Sequence, residues 1–169
     1  MKQTRRIICL LLVLALAITL LGCTGARPET QDAVLKYLKA VEGDIPDNLR
    51  LTIYYMSPQI LTRRPLSADD LKGFSETKVI TVESDELKQH TELLRKLDYR
   101  MLQIVAETTY MNARLCYVFE LGDQDILEVV ISDIGGNIFV NGLEVEDHPI
   151  FYELIEPFLT EEAHETLGF

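Results

Sequence analysis

Hydrophobic positions along residues 30–169 follow two alternating periods, and the switches between them mark the elements. Val34, Tyr37, Leu38 and Val41 recur at helical spacing between Thr30, suited to an N-cap, and Gly43, suited to a C-terminal stop. After the Gly43-Asp44-Ile45-Pro46 turn, Leu49, Leu51, Ile53 and Tyr55 alternate with Arg50, Thr52, Tyr54 and Met56. That period of two predicts a half-buried strand ending before Pro58. Residues 58–75 form a long connection in which Ser67 caps the acidic turn Ala68-Asp69-Asp70-Leu71 and Gly73 closes a short helix. Thr77 to Val82 reads as a β-branched strand. Ser84, ahead of Asp85-Glu86, predicts a helix with Leu87, Leu94 and Leu97 on one face.

Beyond that helix the pattern is mostly strand. Met101–Thr108, Arg114–Leu121, Ile126–Asp133, Ile138–Asn141 and Leu143–Glu146 are separated by short joints at Gly122-Asp123, Gly135-Gly136-Asn137 and Asn141-Gly142. Asn141-Gly142 is the strongest hairpin signal, because a type I′ turn needs two positive φ angles. A last helix is expected from near Asp147 and Pro149, burying Ile150, Phe151, Leu154, Ile155 and Phe158 and disturbed by Pro157. The acidic tail after Thr160 predicts a short terminal helix. Consecutive strands with short joints predict one α+β domain over residues 30–169, an antiparallel meander sheet packed against helices.

The first residues follow a different logic. Met1 to Arg6 carry Lys2, Arg5 and Arg6, and the fifteen residues Ile7 to Leu21 carry no charge. As a helix that run spans about 22 Å, short of the roughly 30 Å a spanning segment must cross, so it reads as an export signal. Thr4-Arg5-Arg6 is followed by Ile7, Ile8 and Cys9, a poor match to a twin-arginine signal, and the Leu-rich core suits general secretion better. Leu20-Leu21-Gly22-Cys23 resembles the lipobox of bacterial lipoproteins, with Leu21 bulkier than the usual Ala, Ser or Thr. The resemblance implies that residues 1–22 are cleaved, that the Cys23 thiol receives a diacylglycerol, and that residues 23–29 are the lipidated cysteine and a short tether. The implied location is the extracytoplasmic face of a bacterial membrane: the cell membrane if the source is Gram-positive, with the outer membrane open if it is Gram-negative. Two acyl chains hold a protein stably where one gives only marginal binding.

Charge narrows the partners. Loss of residues 1–22 from 169 leaves 147, with 13 basic against 27 acidic residues and a formal charge of −14. That balance argues against nucleic acid, whose phosphates need neutralising, and against electrostatic docking on anionic lipid headgroups, so the acyl chains must hold the protein there despite repulsion. The membrane is then met through the lipid anchor, and a membrane-proximal envelope protein is the expected macromolecular partner. Of three cysteines, Cys9 leaves with the signal and Cys23 takes the lipid, so Cys116 stands alone in the alternating run Leu115–Phe119 and reads as a buried, inert thiol.

Candidate chemistry is sparse. Glu161 and His164 have Glu-x-x-His spacing, but a di-metal carboxylate site needs a second copy and further carboxylates. Asp123-Gln124-Asp125 with Glu128 lacks the glycine and distal Glu of a calcium loop, and reads as a solvated hairpin tip. Gly135-Gly136-Asn137 joins strands and does not open a helix, as a phosphate cradle would. His-Glu-x-x-His, Cys-x-x-Cys, Gly-x-Ser-x-Gly and the phosphate loop are absent. No metal or cofactor is expected. The doublet Arg63-Arg64, before Pro65 and after Tyr54, Tyr55 and Met56, stands out in the long connection as a pair able to grip an anionic partner. The leading expectation is a non-enzymatic binding or accessory module. Its rivals are an envelope enzyme with an unrecognised carboxylate site, acting for example on cell-wall glycans, and a small solute-binding lipoprotein. The second is disfavoured because its usual two lobes need more chain.

Overall fold

The computed structural model describes residues 28–132 and 136–168. The lipobox residues Leu20, Leu21, Gly22 and Cys23 lie outside them, as does Gly135 of the expected Gly135-Gly136-Asn137 joint. Among the described residues, no helix is long and apolar enough to cross a membrane.

The first helix, α1 (Pro28–Glu42), starts two residues ahead of the expected N-cap at Thr30. Proline is tolerated there because the first helical N–H has no intrahelical partner. Arg95 closes the other end, donating from Nε to the Val41 carbonyl at 2.8 Å and from Nη2 to the Gly43 carbonyl at 2.7 Å. Those carbonyls would otherwise lack partners.

Six strands form one sheet: β1 (Leu49–Tyr55), β2 (Lys78–Val82), β3 (Ala113–Leu121), β4 (Gln124–Ser132), β5 (Ile138–Val140) and β6 (Leu143–Val145). Their order is β2-β1-β3-β4-β5-β6, with every pairing antiparallel. β3 to β6 are a true meander. β2, however, lies outside β1, so the chain returns past β1 to start β3. The β5–β6 turn has Asn141 at φ 47° and Gly142 at φ 78°, the double positive φ of a type I′ turn. Asn141 also fixes the register, since its Oδ1 accepts from the Glu128 N–H at 2.7 Å and its own N–H donates to the Glu128 carbonyl at 2.8 Å.

Two layers cover the sheet. On one face Leu51, Ile53, Tyr117, Phe119, Leu127 and Val129 pack with Val34, Tyr37 and Val41 of α1 and with the C-terminal elements. Those elements are α5 (Ile150–Glu153), a 3-10 turn at Glu156–Phe158 and α6 (Glu161–Leu167), preceded along the chain by α2 (Ala68–Lys72), α3 (Ser84–Leu87) and α4 (Thr91–Leu94). The opposite face buries Cys116, Val118, Val130 and Phe139 beneath Leu66, Ala68 and Leu71 of the long connection. β3 is therefore buried from Ala113 through Phe119 on both sides, where the sequence suggested alternation.

Two expectations fail. The helix expected after Ser84 is broken into α3, a 3-10 turn at Lys88–His90 and α4, and Glu83 occupies the N-cap position. The break falls at His90 (φ −115°, ψ 22°), whose ring packs edge-on against Phe158 with centroids 4.9 Å apart. Leu87, Leu94 and Leu97 are nevertheless buried. Residues 101–108 form no strand. After a 3-10 turn at Tyr99–Met101, only an isolated bridge joins Ile104 to Val145, while Ile104 itself is exposed.

Candidate functional site

The long connection lies across one end of the sheet, held by a buried polar clamp. The Leu66 N–H donates to Asn112 Oδ1 at 3.0 Å, the Ala113 N–H to the Leu66 carbonyl at 2.9 Å, and the Asn112 N–H to Ser132 Oγ at 3.1 Å. A bulge between Ala113 and Leu115 places buried Arg114 there, its guanidinium reaching the Ile60 carbonyl at 3.4 Å. The loop before β3 and the loop after β1 are thereby joined into one rim.

Arg63 and Arg64 sit on this rim in different states. Arg64 is committed: its Nη2 meets Asp70 Oδ1 at 2.7 Å. Asp70 in turn completes the α2 capping box, accepting from the Ser67 N–H at 3.1 Å and Ser67 Oγ at 2.9 Å, while Ser67 Oγ accepts from the Asp70 N–H at 3.1 Å. Hydrogen bonds from Ser67 first, then Arg64, hold the Asp70 carboxyl below its usual range. Arg63 has no ion pair or hydrogen bond among the described residues and projects into solvent. The doublet therefore offers one open cation, and Arg64 holds the loop. Of the neighbouring residues singled out in the sequence, Tyr55 and Met56 are buried in opposite layers and Tyr54 is half-buried.

Beside the arginines runs a groove of about 540 Å³ lined by Leu61, Thr62, Leu66, Gly73 and Phe74 as well as both arginines and Asp70. Its lip is apolar. Ile60, Phe74 and Met111 pack partly against the lower core layer, and their chain neighbours Leu61 and Tyr110 stand 93% and 82% exposed. These are the two most exposed large apolar side chains among the described residues. Sequence reasoning missed both, because a lone Leu or Tyr in a loop carries no periodic signal.

A second polar cluster occupies the open part of the same sheet face, toward the β3–β4 hairpin. Arg50 grips Glu120 through two contacts of 3.0 Å, and Thr52 Oγ1 donates to Glu120 at 2.9 Å. The hydrogen bond from Arg50 is the main reason that Glu120 is held below the usual carboxylate range. Lys72 Nζ meets Glu128 Oε2 at 2.6 Å. Burial is the largest single influence on Lys72 and lowers its pKa, but the hydrogen bond and charge of Glu128 outweigh it, and the net direction is up. Glu128 is thus tied to α2, away from the solvated tip formed by Asp123 and Asp125. A glycosidase acid needs a raised carboxyl pKa, and Glu120 is shifted the wrong way for it. The other residues considered for chemistry, Glu161 and His164, lie in α6.

Cys116 is fully buried in the lower layer, and burial first, then the nearby Glu128 charge, raise its thiol pKa to about 12. The folded mature protein is therefore expected to resist thiol reagents at pH 8 and to react once denatured. Rapid labelling of native protein at Cys116, located by peptide mapping, would contradict this burial.

No family model, no curated protein and no solved structure matches the chain.

Proposed function

We propose that this chain is a lipid-anchored lipoprotein of a bacterial envelope, acting as a non-enzymatic binding or accessory module at the membrane surface. The observation that carries the reading is Leu20-Leu21-Gly22-Cys23, placed after a basic start and a fifteen-residue uncharged run. The folded domain begins close behind it, with α1 starting at Pro28. A binding role draws support from the rim, where Arg63 and exposed Leu61 line a groove whose one carboxylate, Asp70, is already engaged by Ser67 and Arg64. The carboxylates on the open sheet face give an enzyme less support, since Glu120 and Glu128 are each paired with a cation.

Cys23→Ser is the direct test. The thiol is the proposed lipid acceptor, so the variant is expected to lose acylation and leave the membrane fraction, while wild type is recovered there with residues 1–22 removed. An intact mass that retains those residues, or wild-type protein that washes from membranes at high salt, would refute the lipoprotein reading.

A further inference from the structure

We propose that the rim bearing Leu61, Arg63 and Tyr110 seats on the phospholipid surface itself, giving the domain a second contact with the bilayer and a fixed orientation upon it. The inference rests on the lipid-anchored reading above and adds to it which face looks at the membrane.

Reach supplies the first argument. Cys23 and Pro28 are five residues apart, at most about 18 Å of extended chain. A leash of that length holds the start of α1 within about 18 Å of the surface to which Cys23 is fixed, so the domain stays beside the bilayer. Some face is thereby turned toward the headgroups.

Surface chemistry selects the face. The mature chain is strongly acidic, so most orientations place carboxylates against a negatively charged leaflet. The rim instead offers Arg63, which has no ion pair among the described residues, on the same loop as exposed Leu61, with exposed Tyr110 on the loop clamped to it. Leucine can enter the acyl boundary, tyrosine suits the interface with its ring apolar and its hydroxyl wet, and a guanidinium pairs with phosphate. The acidic residues along these segments are Asp69, Asp70 and Glu107. Asp70 is neutralised by Arg64, and Asp69 lies 3.9 Å from Lys72 Nζ. Half-buried Ile60 and Met111 anchor the two exposed side chains to the lower core, so the rim is presented on a supported loop.

The test uses the mature lipidated protein, with an environment-sensitive fluorophore attached through Leu61→Cys, Tyr110→Cys or, as a control, Asp123→Cys. Cys23 is blocked by its lipid and Cys116 is buried. Asp123 sits in the β3–β4 turn at the opposite end of the nine-residue strands, about 25–30 Å from the rim. Each protein is reconstituted on vesicles of phosphatidylglycerol and phosphatidylethanolamine with or without brominated acyl chains. Blue-shifted emission and loss of most of the fluorescence to brominated lipid are expected at positions 61 and 110, with neither at 123. Floating vesicles that carry the protein while positions 61 and 110 are quenched no more than 123 would overturn the seating and leave the anchor intact. Failure of the protein to float at all would remove the anchor reading and this inference with it. If labels at 61 and 110 are shielded from aqueous iodide in native envelopes but not on pure vesicles, the rim belongs to a protein partner and the seating is refuted.

Discussion

Phe119→Ala is expected to lower the unfolding free energy of the mature protein by about 3–5 kcal/mol, the usual range for truncating a fully buried phenylalanine. Phe119 has no exposed surface and lies on β3 between Leu51 of β1 and Leu127 of β4. Its ring meets that of Tyr37 at 4.8 Å, tilted by 57°, and that of Tyr117 edge-on at 6.2 Å. Alanine would empty the point where α1, the central strand and its two neighbours meet. Both tyrosines are fixed through their hydroxyls, Tyr37 donating to the Leu94 carbonyl and Tyr117 to the Phe151 carbonyl, each at 2.9 Å, so neither can tilt into the space without giving up a buried hydrogen bond. Incomplete collapse places the cost toward the upper part of the range. Because small domains are stable by only about 5–15 kcal/mol, the variant should show a sharply lower urea midpoint at nearly unchanged slope. A loss below about 1 kcal/mol would mean that this layer repacks freely, contrary to the fixed tyrosines.

The elements legible in the sequence are those whose causes are local. Ser67, Asp70 and Gly73 bound α2 because the cap, its partner and the stop lie within seven residues of one another. Asn141-Gly142 specifies its turn through its own backbone preferences. The C-terminal run behaves similarly, with Thr160 accepting from the Ala163 N–H and Gly168 taking the left-handed conformation after α6. The failures have distant causes. Residues 84–97 carry a helical pattern, but the break at His90 accompanies contact with Phe158, 68 positions later. Residues 101–108 have strand-like composition, yet only Ile104 finds a strand partner, Val145. Placement of β2 outside β1 likewise depends on which edge the returning chain passes, and no residue in β2 encodes that choice.

The candidate site was legible only in part, for the same reason. Arg63-Arg64 stands out in an acidic chain as composition alone, whereas the division of labour between the two arginines depends on Asp70 being held in place by Ser67. Leu61 and Tyr110 become a surface feature only when the clamp brings two loops together. Cys116 could be assigned to the interior because an apolar run surrounds it, but the second layer above it, built from Leu66, Ala68 and Leu71, comes from a connection with no periodicity of its own.

Asn112→Ala tests whether that clamp governs both stability and the shape of the rim. Asn112 is buried, and its Oδ1 accepts from the backbone N–H of Leu66, which is itself buried. Alanine leaves that N–H without its acceptor, and an unsatisfied buried donor costs about 1–3 kcal/mol. The loss should be felt unevenly. Phe119 lies six residues further along β3 than Ala113, whereas residues 57–66 are held to the sheet by Asn112, the Leu66–Ala113 backbone bond, the Met56 N–H to the Arg114 carbonyl, and Arg114 reaching Ile60. Loss of the Asn112 member of this set should admit protease to residues 57–66 well below the denaturant concentration at which Cys116 becomes reactive, because a local opening exposes the loop without unfolding β3. Asn112→Asp keeps an acceptor of the same length opposite Leu66 and should lose less. If alanine and aspartate cost the same, the acceptor is not what holds the loop. If loop cleavage and Cys116 exposure remain coincident in the alanine variant, the rim and the core open as one unit, and Leu61, Arg63 and Tyr110 depend on the whole fold for their placement.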